Sequence, residues 1–216
     1  KMSDGYPYST DYSSSSAGSG YASGIMLADA VPMSSLGLST DDGHGEVPEE
    51  VGFLMTNPAS RQVIAFGCSD TFGDYDPMLI RWCDEDHPGS WKMTEQNFAG
   101  GSPLQKGSKI VSAARSNRQI PAWTDSALYS LQYIGGDYIF SLQEIADDIS
   151  IASRHAHKSA RGIVYWMGDN NFYQTDGGSV QKVPCSILSK IFEELNYDKR
   201  EVIFSALNSL FSEIIW

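Results

Sequence analysis

The chain has 216 residues, 41% of them apolar and 12% aromatic, with 20 Gly and only 3 Cys. That apolar share supports the core of one ordinary domain and excludes a wholly disordered chain, while the widely separated Cys68, Cys83 and Cys185 exclude a disulfide scaffold and fit reduced, mostly buried thiols. Fifteen Lys and Arg against 27 Asp and Glu leave a net charge of -12, which disfavours a protein that grips duplex DNA tightly and sequence-specifically through clustered cations.

Residues 1 to 24 are a low-complexity mixture of Ser, Gly and Tyr that offers little to bury. With the acids that follow, residues 1–50 read as an acidic arm or long loop that orders against a partner. Within it Asp41, Asp42, His44 and Glu46 could gather around a divalent cation, but Gly43 and Gly45 favour a solvated loop. Of the charge, -7 falls in the first 60 residues and -5 in the rest. No stretch approaches the roughly 18 apolar residues of a membrane span and no basic start precedes an apolar segment, so a soluble chain without an export signal is expected. The start on Lys1 and the end on Trp216, directly behind an apolar run, are expected of a piece of a longer polypeptide.

From Val51 onward short apolar runs alternate with turn residues. RQVIAFG (61–67), MLIRW (78–82), KIVSAA (109–114), LYSLQYIG (128–135), YIFSLQEI (138–145), GIVYWMG (162–168) and NFYQT (171–175) are rich in β-branched and aromatic residues and bounded by Gly, Asn and Asp. This is the pattern of strands and hairpins. CSILSKIFEELN breaks it, because Ile187, Leu188, Ile191, Phe192 and Leu195 fall on one helical face. Ser186 is the expected N-cap and Asn196 the stop, and Asp198 with Glu201 predicts a second short helical start through a capping box.

The chain also repeats. Trp82, Trp123 and Trp166 each end an apolar strand, each is followed by an acid (Asp84, Asp125, Asp169), and their spacings are 41 and 43 residues, with Trp216 another 50 on. A strand ending in Trp, an acidic turn and an aromatic return strand, recurring every 40 to 50 residues, matches one four-stranded propeller blade. The expected fold is therefore mainly β, with antiparallel β-propeller-like repeated sheets over 51–216 and one or two short helices. In it the Trp would fill wedges between sheets, and the Asp would bond turn amides.

Few residues point to chemistry. Cys83, Asp84, Asp86 and His87 mix soft and hard ligands without a second pair at zinc spacing. His155 and His157 share one face of a strand and could ligate a metal, but with Arg154, Lys158 and Arg161 they read first as a basic loop touching a neighbouring subunit or a phosphate. No nucleophile elbow, phosphate-cradling loop or metalloprotease helix is present. No catalytic residue, cofactor or metal is expected; a glycan-binding or glycan-cleaving propeller stays open, because a glycosidase needs only two suitably spaced carboxylates.

Several segments resemble a family of virion proteins of short-tailed bacteriophages, described as tail nozzle, tail tubular or packaged-DNA-stabilising proteins. They are VIAFGCSD (63–70), DPMLIRWCDED (76–86), WTDSALYSLQYIGGDYIFSLQEIADDISI (123–151), VYWMGDNNFYQTDGGSVQKVPCSI (164–187) and FSEIIW (211–216). The resemblance implies a non-enzymatic β-propeller component of the virion tail, made in the host cytoplasm and forming a homo-oligomeric ring, expected as a hexamer. Its implied partners are neighbouring tail or portal-adaptor proteins and, transiently and non-specifically, genomic DNA during ejection. A head-completion plug retaining packaged DNA is the nearest alternative. An acidic conduit wall would repel DNA and favour transit. Two features depart from the family: Pro121, which predicts a bulged or edge strand, and the basic stretch 153–161.

Overall fold

Alternating apolar residues build three antiparallel meanders of four strands each, followed by a hairpin. The computed structural model describes residues 47–216 apart from 58, 117–118 and 136–138, all within one unit, Ser39–Trp216. The expected arm, 1–50, and its cluster Asp41, Asp42, His44 and Glu46 lie almost wholly or wholly outside the described residues.

The first sheet runs β1 (Val51–Asn57), β2 (Gln62–Ser69), β3 (Tyr75–Trp82) and β4 (Gly100–Pro103). The second holds β5 (Ile110–Ala113), β6 (Gln119–Thr124), β7 (Ala127–Tyr133) and β8 (Phe140–Asp147), and the third β9 (His157–Ala160), β10 (Ile163–Met167), β11 (Phe172–Thr175) and β12 (Val180–Lys182). After α1 (Leu188–Glu194) and a 3-10 turn (Tyr197–Val202), β13 (Ala206–Asn208) pairs with β14 (Glu213–Ile215). Within each sheet, spatial order follows chain order.

The pleat divides the second sheet's side chains between two cores. Ile120, Ala122, Ala127, Tyr129, Leu131 and Phe140 pack against Ile64, Phe66, Ile80 and Trp82 of the first sheet. Trp123 and Leu128 point the other way, against Val164, Trp166 and Phe172 of the third. The second sheet is thus buried on both faces, and burying apolar area on this scale is the main stabilising term. Gly67, at φ 58, sits where β2 shifts register against β3 between Phe66 and Cys68, a bulge that needs a left-handed residue. Gly100 admits the Trp82 indole, since a Cβ there would lie 2.7 Å from the ring.

Four local expectations are corrected. Trp82 closes the third strand of its sheet, whereas Trp123 and Trp166 lie in the second strand of theirs and Trp216 directly follows β14, the second strand of the hairpin. The positional series is therefore Trp123, Trp166, Trp216, and Trp82 stands outside it. The helix is capped by Ile187 without a side-chain bond, one residue beyond Ser186. Asn196 caps the 3-10 turn, its side chain accepting from the Asp198 amide, in place of an Asp198–Glu201 capping box. The Pro121 strand is internal, not at an edge, although its pairing with β5 does carry a register shift between Ile110 and Ser112, opposite Thr124 and Trp123; the Pro121 carbonyl accepts from Ala114, just past the end of β5, so the missing proline N–H faces the point where that neighbour has stopped.

Candidate functional site: the edge of first strands

The first strands of successive sheets are stitched together largely by serine hydroxyls and arginines. Ser112 of β5 donates to the Arg154 carbonyl at 2.7 Å, Ser116 to Gly162 at 2.7 Å, and Ser159 of β9 to Arg115 at 2.5 Å. Ser153 donates to the Ile203 carbonyl and Ser205 to that of His157, while the Ser205 amide donates to His155 at 2.9 Å. Arg115 reaches back from the second sheet to Thr56 of β1. Arg154 spans from the third sheet to the first, donating to the Gly52 carbonyl at 3.1 Å with its guanidinium 5.1 Å from the Phe53 ring centre. The edges of β1, β5, β9 and β13 therefore run side by side.

This edge takes up the whole basic stretch. Arg154, His155 and Arg161 are exposed and Lys158 is half-buried. Arg161 donates to the Ser212 hydroxyl at 3.1 Å. His157 and Ser159 face the second sheet, and Lys158 lies toward Ser205. The His157 ring stacks on Trp123 at 5.5 Å and 13°. Burial, reinforced by the His155 and Lys158 charges, pushes its pKa down to about 4, so it is neutral near pH 7. Residues 153–161 are thus a loop and a paired strand tied to three neighbours, not a free loop.

The repeated acids have three different jobs. Asp84 accepts from the Phe98 amide at 2.9 Å. Asp125 accepts from the Ser108 amide at 2.7 Å and hydroxyl at 2.5 Å; burial raises its pKa, but the Ser108 and backbone bonds outweigh it and hold the carboxyl below the usual range. Asp169 pairs with Arg200 at 2.8 Å. The acid that shares the place of Asp125 and Asp169, one or two residues after the end of a second strand, is Asp70, whose carboxylate accepts from the Phe72 amide at 2.7 Å and the Asp74 amide at 3.0 Å. The shared signal is a small residue then Asp, in Ser69-Asp70, Thr124-Asp125 and Gly168-Asp169.

The cluster at 83–87 disperses. Cys83 is buried with its sulfur accepting from the Val63 amide, Asp86 pairs with Arg61 at 2.7 Å, and only Asp84 and His87 approach, at 3.6 Å. Among the described residues no group of three metal-ligating side chains converges, and no helix is long and apolar enough to cross a membrane.

The described carboxylates with a shifted titration, Asp125, Asp147 and Asp176, all move down, toward a permanent anion in hydrogen bonds or, for Asp147, a pair with Lys106. What the arrangement offers chemically is a hydrogen-bonded edge with outward cations. No protein-family model matches the chain, and no curated protein matches it.

Proposed function

We propose that the chain is a structural component of a short-tailed phage virion, a tail nozzle or hub ring forming part of the DNA ejection channel. The observation that carries this reading is the succession of three stacked four-stranded meanders whose first strands run side by side, with a fourth first strand, β13, joining them. Stacked four-stranded sheets with converging first strands are the layout of propeller blades, whose innermost strands surround a central channel. The segmental resemblance to nozzle and packaged-DNA-stabilising proteins supplies the virion context.

On this reading the work is mechanical. Copies of the chain form a homo-oligomeric ring, six expected, between neighbouring tail or portal-adaptor proteins. Antibodies against this chain, labelled with gold and applied to purified particles, should decorate the tail. Decoration at the head vertex alone would favour the plug that retains packaged DNA. Absence from particles together with binding or hydrolysis of oligosaccharides by the isolated chain would replace both with a glycan-directed propeller.

A further inference from the structure

A cavity of about 80 Å³ lies between the end of β1 and the start of β6, and the polar groups that line it still have N–H donors to give. Asn57 is only 8% exposed. Its Oδ1 accepts from the Ala59 amide at 3.1 Å, a bond that fixes which end of the carboxamide is nitrogen and leaves Nδ2 without a partner among the described residues. Gln119 is held in the same way, with Oε1 accepting from the Ser130 hydroxyl at 2.8 Å and Nε2 unpaired among the described residues. Arg115 donates one N–H to Thr56, and a guanidinium has others to offer. The rest of the wall is largely apolar, from Ile120, Leu131 and Phe140.

Nitrogen donors in a partly closed space call for an acceptor, and one of these three groups is a permanent cation. None of the lining residues is Asp or Glu. The carboxylates nearby are engaged elsewhere: Glu85 accepts from the Tyr133 hydroxyl at 2.8 Å, and Asp176, whose carbonyl accepts from Ser116, bonds the Gly178 and Ser179 amides. An acceptor with a single negative charge fits best, because a second charge would face Glu85 with only Arg115 to balance it. The apolar wall favours a ligand with a hydrocarbon side, which inorganic phosphate lacks.

We propose that this cavity binds one carboxylate group, with Arg115, Asn57 and Gln119 donating to its oxygens and its alkyl side against Leu131 and Phe140. A space of about 80 Å³ holds a few heavy atoms, a short-chain acid or the end of a peptide, and is too small for a nucleotide. The site stands apart from the virion reading and does not depend on it.

The test is a heteronuclear NMR titration of the isotope-labelled full chain with sodium propionate at constant ionic strength. Saturable shifts of the Asn57 and Gln119 side-chain amides are expected at millimolar propionate, and none with propionamide, which has the shape without the charge. Asn57→Asp keeps an acceptor for the Ala59 amide but replaces the donor with a negative charge, so it should weaken binding about tenfold or more while resonances away from the cavity stay in place. Gln119→Glu, which can still accept from Ser130, should do the same, and Arg115→Gln should abolish binding. Tighter binding of N-acetylalanine than of propionate would identify a chain terminus as the source of the carboxylate, and the reverse order a free acid. The proposal is overturned by an absence of shifts at tens of millimolar propionate, by an equal response to propionamide, by tighter binding of inorganic phosphate, or by binding that survives both Asn57→Asp and Arg115→Gln.

Discussion

His157 is held neutral beneath the Trp123 indole, which gives stability a defined pH dependence. Its folded pKa of about 4 lies below the ordinary 6.5, so the unfolded chain binds the proton more tightly. The stabilisation is complete above pH 6.5 and is lost as pH falls from there toward 4, by at most about 3 kcal/mol. Urea midpoints measured between pH 7 and pH 4 should fall, and His157→Phe, which keeps the stacked ring, should flatten that part of the curve. An unchanged slope would place the pH sensitivity elsewhere.

The thiols give a second test at this scale. Burial pushes Cys68 and Cys83 up to about 11, while Cys185 is half-exposed. Iodoacetamide at neutral pH should label Cys185 in the native chain and the other two only after unfolding. Mass mapping of early label on Cys83 would contradict its buried hydrogen bond to Val63.

Among the elements, the serine stitches are the joints that alternation does not reveal. Ser112 is 1% exposed, and its hydroxyl satisfies the Arg154 carbonyl across the gap between sheets. Ser112→Ala should cost about 1 to 2 kcal/mol by leaving that acceptor unpaired. Chemical unfolding that finds the variant neutral would show that water replaces the bond.

The seven runs read as strands all form strands, because β-branched and aromatic residues alternating over five or more positions need no distant partner to be recognised. β12 (VQK) and β13 (ALN) were illegible for the opposite reason: they are three residues long, largely polar or weakly apolar, and extended only because a neighbour pairs with them. The same holds at the candidate site. Arg154, Lys158 and Arg161 stand out in the sequence, but the contact that orients Arg154 is with Gly52, 102 residues away, and Arg115 was not singled out at all. The tryptophan spacing identified repeated sheets yet misplaced Trp82, since a period near 40 residues does not distinguish a second strand from a third.

For the molecule as a whole, stability rests on sheets buried between sheets. Trp123 is fully buried and meets Trp166 edge-on at 5.2 Å across the second and third sheets. Trp123→Ala should cost about 3 to 5 kcal/mol, as large-to-small changes in a closed core do, and thermal unfolding will check it. A near-neutral result would mean that the second and third sheets do not depend on each other.

The proposed ring of copies is tested at this scale; the stacked sheets describe its subunit. Cryo-electron microscopy of purified particles tests that most directly. The expected map shows copies of this chain as a ring at the tail, each with β1, β5 and β9 innermost in its own stack of sheets. A tail without this chain, or copies in which those strands lie outermost in the stack, would contradict the account.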